Sequence, residues 1–389
     1  MAKAIIKDRA AARLHAGHPW VYRSDLLGFE GAAPAPPAPV MLADRRGRSL
    51  GWADYSPQSQ IALRRLTAAE AAPEPTWLAE RLRAALAYRR RFVADSDAYR
   101  LCAGEADGLP GLVVDRYGAA VALQTLTPAM EARQPEVVAW LEAELAPEVI
   151  AERNDTRLRQ LESLASRAGL LRGTTPLAQA HINGVRFEFD LLAGQKTGGF
   201  LDQRQNWAAA AAYARSGGTA LDVFTYQGGF ALHLARAGAQ VTAADLSRPA
   251  LERAERNALA NGFDGVEWIE ANAFDLLRHY DESGRKFDVI VLDPPGFARN
   301  RAALAAAARG YKEINLRALR CLPAGGILVT CSCSHLLGET AFLEIVLAAA
   351  ADAGRELVLL ERRTQSLDHP VLPAISETQY LKCLLFLVR

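Results

Sequence analysis

The sequence predicts an α/β fold built on a doubly wound sheet, preceded by a small β-rich domain and a mixed α+β middle. Three stretches of the 389-residue chain carry this reading. In the first, Phe287 to Phe297, the apolar run Val289 to Leu292 reads as a buried parallel strand followed by Asp293, Pro294 and Pro295. Proline cannot join a central ladder and biases the preceding residue toward extended backbone. The strand therefore stops with a carboxylate held rigidly at its carboxyl end. The second stretch opens with a short apolar strand, Thr219 to Phe224. A Gly228-Gly229 turn, a helical pattern to Ala237 and a strand from Gln240 to Ala244, ending in Asp245, come next. The third, Gly325 to Ser334, is another apolar strand with Cys331 and Cys333 at its carboxyl end. Strands alternating with helices imply a parallel sheet, and such sheets bind ligands at the carboxyl ends of their strands.

The remaining elements follow in chain order. Residues 1–66 alternate turns with short β-like runs such as Ser49 to Tyr55 and Gln60 to Leu66, and Ala33 to Pro39 is proline-rich, which suits a small barrel. Pro73 and Pro75 mark a linker. Trp77 to Ala94 reads as a helix with Leu78, Leu82, Ala85, Leu86 and Phe92 on its core side. Its basic end, Arg89, Arg90 and Arg91, reads as a solvated helix terminus favoured by the dipole. Residues 99–180 give strand-turn-strand, a helix near Ala129 to Leu145, and further mixed structure. A hairpin, His181 to Leu192, turns at Asn183-Gly184. Beyond Asp245, Ser247 and Pro249 start a helix that Gly262 ends, and a strand from Val266 to Ile269 leads into Asn272, Ala273, Phe274 and Asp275. Leu357 to Glu361 and Tyr380 to Val388 complete the sheet. Three domains result: 1–66, 67–180 and 181–389.

Two ligand classes use such a sheet. A dinucleotide needs a pyrophosphate cradle, and the G-x-G-x-x-G fingerprint is absent because Gly228-Gly229 lack the earlier glycine. S-adenosylmethionine has no phosphate and needs close backbone approach plus carboxylates. Asp245, 23 residues after Asp222, is suitably placed for a ribose hydroxyl pair. The competing explanations are tight helix-strand packing for the glycines and a helix-start acid for Asp245.

The five cysteines divide by position. Cys102, Cys321 and Cys383 read as small buried hydrophobes, whereas Cys331 and Cys333 stand at a strand end. A strand-end thiol suits one demanding reaction. Carbon 5 of a pyrimidine is too electron-poor to attack a methyl sulfonium until a thiolate has added to carbon 6.

The chain resembles the bacterial 23S ribosomal RNA 5-methylcytosine methyltransferases with an N-terminal PUA domain. The resemblance runs through His18-Pro-Trp-Val-Tyr22, Asp107-Gly-Leu-Pro-Gly-Leu112, Val114-Asp-Arg-Tyr117 and Gly194-Gln-Lys-Thr-Gly-Gly-Phe-Leu-Asp-Gln-Arg204. It continues through Phe224-Thr-Tyr-Gln-Gly-Gly-Phe230, the Asp-Pro-Pro turn, Gly310-Tyr-Lys-Glu-Ile-Asn315, Ser332-Cys-Ser334, Asp368-His-Pro-Val371 and Tyr380-Leu-Lys382. The order and spacing of these segments make it specific. It implies a Rossmann-like methyltransferase sheet, a PUA barrel and S-adenosylmethionine as cofactor, with Cys333 as nucleophile and Asp293 on the target base. It further implies Asp222, Phe224, Tyr226, Gly228, Asp245, Ser247, Asn272 to Phe274 and Asp293 around the cofactor, with Gln203 and Arg204 closing over it. The family commonly carries lysine where this chain has Gly296, and an acid where it has Asn272. An exocyclic-amine methyltransferase and a non-catalytic ribosome-assembly factor remain as alternatives.

Composition fits a soluble enzyme. Half of the residues are hydrophobic, no apolar run reaches 18 residues, and no signal-peptide core follows Lys3, Lys7, Asp8 and Arg9. Five scattered cysteines indicate a reducing compartment, hence a cytoplasmic protein, and no cysteine-histidine spacing resembles a zinc site. The net charge of +1 hides an asymmetry: residues 1–66 hold 10 Lys/Arg against 5 Asp/Glu, or +5, leaving −4 for the rest. A basic small domain suits phosphate contacts. The expected partner is 23S ribosomal RNA or a large-subunit assembly intermediate, with no membrane, and the choice between monomer and homodimer stays open.

Overall fold

A computed structural model describes residues 2–298 and 300–389. The chain divides into two compact units. One comprises Met1–His181, Phe189–Leu201 and Leu367–Thr378; the other comprises Ile182–Glu188, Asp202–Ser366 and Gln379–Arg389.

The first unit holds two sheets. Strands β1 (Lys3–Ile6), β2 (Trp20–Tyr22), β3 (Leu26–Glu30), β4 (Val40–Ala43), β5 (Ser49–Tyr55) and β6 (Ile61–Thr67) lie in the order β2-β6-β5-β4-β1-β3. Helix α1 (Asp8–His15) contributes Ala10, Ala11 and Leu14 to their core with Ile6, Val21, Leu42 and Leu63. Helix α2 (Trp77–Phe92) precedes the second sheet, formed by β7 (Ala98–Ala103), β8 (Leu112–Tyr117), β9 (Ala120–Thr125), β10 (Val149–Asn154) and β11 (Arg167–Arg172) in the order β11-β10-β9-β8-β7. Leu78, Leu82 and Leu86 of α2 pack with Leu101, Val114 and Leu123 of this sheet, the helical spacing placing them on one face.

Three expectations are corrected here. The helix expected near Ala129 to Leu145 is two helices, α3 (Pro128–Ala132) and α4 (Gln134–Leu145). Arg133 sits between them, its guanidinium forked onto Asp54 at 2.7 and 2.8 Å. Pro135 is tolerated because the first turn of α4 has no amide to lose. Phe92 is exposed rather than part of the core. Arg89 is not solvated: it is fully buried, bonds both carboxylate oxygens of Asp107, and donates to the carbonyls of Arg100 and Asp368 at 2.8 Å. Only Arg90 and Arg91 form the exposed basic end.

Strands β12 (Leu177–Ile182) and β13 (Val185–Asp190) form a two-stranded sheet. Asn183 and Gly184 between them are both left-handed, at φ 50° and 76°, as a tight hairpin turn demands.

The second unit carries a seven-stranded sheet. In chain order its elements are α5 (Arg204–Ala211), β14 (Thr219–Val223), α6 (Gly229–Arg236), β15 (Gln240–Asp245), α7 (Arg248–Ala260), β16 (Glu267–Glu270) and α8 (Ala273–Ser283). They continue with β17 (Val289–Leu292), α9 (Leu304–Arg320), β18 (Ile327–Ser332), α10 (Glu339–Ala353), β19 (Leu357–Arg363) and β20 (Lys382–Val388). The strand order is β16-β15-β14-β17-β18-β20-β19, all parallel except β20, which runs antiparallel to both neighbours. The four residues of β17 are all buried, as a central parallel strand requires. One core joins Leu221, Ile290, Leu328 and Phe386 of the sheet to Leu277, Ile314 and Phe342 of the helices.

Candidate active site

The strand order reverses between β14 and β17, and an open α/β sheet binds ligands at the carboxyl ends of strands beside such a reversal. The register Val223↔Leu292↔Thr330 brings the ends of β14 and β17 level, and β18 runs two residues further, to Ser332. The loops after β14 and β17 therefore start side by side.

Asp222, inside β14, is fully buried. Its Oδ2 accepts from the Thr225 hydroxyl (2.6 Å) and the Ala231 amide (2.9 Å), while Oδ1 has no partner among the described residues. Burial drives its pKa up to about 7 in spite of these bonds. An acid whose folded pKa lies above its unfolded value stabilises the fold most at low pH. That contribution is complete below about pH 4 and is lost as pH rises to about 7. Relative to Asp222→Asn, wild-type apoprotein is therefore expected to lose about 1.4 kcal/mol per pH unit across this window. Urea titrations at several pH values measure the difference; a gap that stays flat with pH refutes the protonation assigned to Asp222.

The loop after β14 is strained. Phe224 (φ 68°), Tyr226 (φ 50°) and Gly228 (φ 85°) are all left-handed, a conformation costing a bulky residue about 1–3 kcal/mol. Hydrogen bonds hold it: Thr225 N–H donates to the Ala244 carbonyl (3.0 Å), and Tyr226 N–H donates to Asp245 Oδ2 (2.9 Å). Asp245 Oδ1 accepts from the Ser247 amide (2.9 Å), so one carboxylate fixes the loops after β14 and β15. Ser247 heads α7 without making a side-chain cap bond. The Asp245 carbonyl accepts from the Ala271 amide (3.0 Å), which brings up Asn272, Ala273 and Phe274. Asn272 caps α8, its Oδ1 accepting from the Phe274 amide at 2.9 Å. Its Nδ2 donors are not needed for that bond.

The adjacent glycines serve different ends. A Cβ on Gly229 would lie 2.4 Å from Trp207 Cε2, so Gly229 is required by packing. Gly228 supplies the left-handed residue at which α6 begins. Gln203 and Arg204 are buried where α5 begins, and Gln203 Oε1 accepts from Asn206 Nδ2 at 2.6 Å.

On the other side of the reversal, Asp293 is the first residue beyond β17 and half-buried; its amide donates to the Val223 carbonyl at 3.4 Å. Cys333 is the first residue beyond β18. It is half-buried, whereas Cys102, Cys321, Cys331 and Cys383 are fully buried. Burial pushes the Cys331 thiol well above its ordinary value, and Cys383, opposite it in the ladder, adds to the shift. A Cβ built on Gly296 would stand 3.5 Å from both Cys333 Sγ and Ser334 Oγ, so the Asp-Pro-Pro turn lies directly against the thiol. The serines flanking Cys333 both meet one phenol. Ser332 Oγ and Ser334 Oγ lie 3.0 and 3.2 Å from the hydroxyl of Tyr311, a fully buried residue of α9. Ala298 N–H also reaches Ser334 Oγ, at 3.4 Å.

Sequence reasoning missed Tyr311, although Gly310-Tyr-Lys-Glu-Ile-Asn315 stood out without a role. Two serines around a strand-end cysteine were the available signal, since buried hydroxyls need partners. It also missed Leu246, a large apolar side chain left 68% exposed beside Asp245.

These groups fit S-adenosylmethionine. A buried carboxylate oxygen is unpartnered at Asp222, and Asp245 uses one bond per oxygen to fix its loops, leaving further acceptor capacity. A doubly wound sheet with these features defines a class, the S-adenosylmethionine-dependent methyltransferases, and the model of that family matches residues 159–387. A PUA-like domain model matches residues 4–68. The chain is 41% identical over 385 residues to ribosomal RNA large subunit methyltransferase I of Tolumonas auensis, covering 97% of this chain and 96% of that protein. It is 40% identical over 385 residues to the protein of the same name from Shewanella denitrificans, covering 97% of each. A methyltransferase crystallised with SAH superposes with a TM-score of 0.83 over 99% of this chain and all of that one, at 21% identity, which speaks for the shared fold. The chain belongs to the ribosomal RNA large subunit methyltransferase I family of S-adenosylmethionine-dependent methyltransferases.

Proposed function

We propose that this chain methylates carbon 5 of a cytosine in 23S ribosomal RNA through a covalent bond between Cys333 and the base. The relatives' ribosomal RNA specificity supports the substrate class. The observation that carries the carbon-5 chemistry is Cys333 itself, a half-buried thiol one strand away from Asp293 and against the Asp-Pro-Pro turn.

S-adenosylmethionine supplies an electrophilic methyl group. Asp245 would hold its ribose, while Asp222, Phe224, Tyr226, Gly228, Ser247 and Leu246 line the adenosine, with Asn272, Ala273 and Phe274 on the adenine side and Gln203 and Arg204 behind. Asp293 would hydrogen-bond the cytosine, which must leave its stack to enter. The Cys333 thiolate adds to carbon 6, forming a carbon-sulfur bond and moving an electron pair of the ring onto carbon 5. Once carbon 5 carries the methyl group, a base removes its proton. The pair returns to the ring, the carbon-sulfur bond breaks and the thiolate leaves. Amine methylation requires no thiol at this place. Mass spectrometry of digested 23S RNA from cells with and without the gene tests the proposal. A methyl group on carbon 5 of a cytosine, lost with the gene, is the expected result; a missing methyl on an exocyclic amine overturns it.

No helix among the described residues is long and apolar enough to cross a membrane. A ribosomal RNA substrate supports a cytoplasmic enzyme. RNA contact is assigned to the basic N-terminal sheet. Removing that sheet is a poor test, because buried ion pairs tie it to the rest of the first unit: Arg64 to Glu162 (2.7 Å) and Arg133 to Asp54. Arg45 and Arg46, both exposed between β4 and β5, are better targets. Changing both to alanine is expected to weaken RNA binding and to lower the slope of log affinity against log salt by roughly 1.4–1.8, with cofactor affinity unchanged. An unaltered salt slope removes this turn from the RNA surface.

A further inference from the structure

We infer that Lys382 holds Cys333 in its thiolate form, acting through charge as the positioning residue for the nucleophile. The inference rests on the reading of Cys333 as the attacking group. Lys382 begins β20 directly opposite Ser332, the residue before Cys333. Its side chain is buried, at 6% exposure. Its Nζ donates to the Ser334 carbonyl at 2.7 Å and to the Tyr380 carbonyl at 2.8 Å. The ammonium is thus bonded to the residue that follows Cys333, while the backbone of Lys382 pairs with the residue that precedes it. Among the described residues no carboxylate lies within ion-pair distance of it. A buried ammonium with only neutral acceptors is costly, and the cost falls sharply when an anion forms beside it. The third N–H of the ammonium is left over after the two carbonyls.

Of the ionisable groups around Lys382, Cys333 acts on it most strongly, ahead of Glu339 at the start of α10. Burial is the largest influence on the lysine and brings it down to about 8, while Cys333 and Glu339 pull the other way. Two other ionisable groups near this strand end do not supply this charge, and His335, two residues beyond Cys333, is exposed. Tyr311 from α9 is a neutral phenol whose pKa burial raises, and Asp293 beyond β17 is an acid. Gly296, whose missing side chain would touch Sγ, brings no charge. When the thiol loses its proton to solvent, Lys382 would stabilise the resulting anion. It would do so again when the carbon-sulfur bond breaks and the thiolate departs.

The test measures the thiol directly in the full chain, without RNA or cofactor. The rate of Cys333 alkylation by iodoacetamide is followed from pH 5 to 10, with peptide mass spectrometry separating Cys333 from the four buried cysteines. Wild-type Cys333 is expected to titrate below the ordinary thiol value of about 8.5. Lys382→Met should move the midpoint up by roughly one unit, so that alkylation at neutral pH slows about tenfold, while Lys382→Arg keeps the wild-type midpoint. A purely structural lysine would change melting temperature but not this midpoint. An unchanged midpoint in folded Lys382→Met overturns the inference. So does a wild-type midpoint at or above 8.5, which decides the matter even if the variant fails to fold. If the midpoint shifts as expected yet Cys333→Ala still methylates RNA, the lysine-thiolate pair stands and the nucleophile reading falls.

Discussion

Cys333→Ala is expected to lower methyl transfer by roughly 10³-fold or more while leaving S-adenosylmethionine affinity within about twofold. The asymmetry follows from position. Cys333 stands beyond β18 against Gly296, whereas Asp222 and Asp245 brace the loops after β14 and β15. Cys331→Ala should keep substantial activity, since its sulfur is fully buried and its thiol is held protonated by burial. RNA with 5-fluorocytosine at the target should trap the wild-type enzyme as a covalent adduct, because fluorine cannot leave carbon 5 as a proton does. Cys333→Ala should form none. Full activity in Cys333→Ala excludes the covalent route through this residue. A dead Cys331→Ala beside an active Cys333→Ala would move the nucleophile two residues back.

Asp245→Ala should weaken S-adenosylmethionine binding at least tenfold, the loss of one charge-assisted hydrogen bond being worth roughly 1.5–3 kcal/mol. The effect should exceed that of one lost ribose contact. The same carboxylate holds the amides of Tyr226 and Ser247, and without it the left-handed Phe224 and Tyr226 lose a main restraint. Asp245→Asn keeps an acceptor for one amide and should fall between alanine and wild type. Titration calorimetry on protein with an unchanged melting profile measures both. Wild-type affinity in Asp245→Ala would remove this residue from the cofactor site.

The sheet was legible because its strands are apolar runs cut by Gly, Pro and acids, and strand ends on a doubly wound sheet point to one edge. That reading puts Asp222, Asp245, Asp293 and Cys333 at the carboxyl edge of the sheet, where their strands end or nearly end. What stayed hidden depends on partners distant in sequence. Arg89 looks like one of three solvated arginines until Asp107 and the Asp368 carbonyl are seen around it. The charge of residues 1–66 overstates their free basic surface. Arg9 and Arg13 are spent on Asp25, Arg23 on the carbonyls of Ser56 and Ser59, and Arg64 on Glu162. Gly229 resembled a ligand-facing glycine, but its freedom goes to Trp207, 22 residues earlier. Lys382 stood in the segment Tyr380-Leu-Lys382 without a role, because its bond to Ser334 spans 48 residues of sequence.

The insertion of β20 between β18 and β19 has a kinetic consequence. Before β20 arrives, β18 presents an open edge and β19, whose neighbour among the described residues is β20, has no strand to pair with. Both ladders close through contacts that are non-local along the chain, the slow kind to form. The edge that waits is the one that ends in Cys331 and Ser332, and the strand that closes it carries Lys382. Completing the sheet and completing the surroundings of Cys333 therefore depend on the same strand pairing: a chain in which β20 has not docked exposes the β18 edge and leaves the Ser334 carbonyl without Lys382.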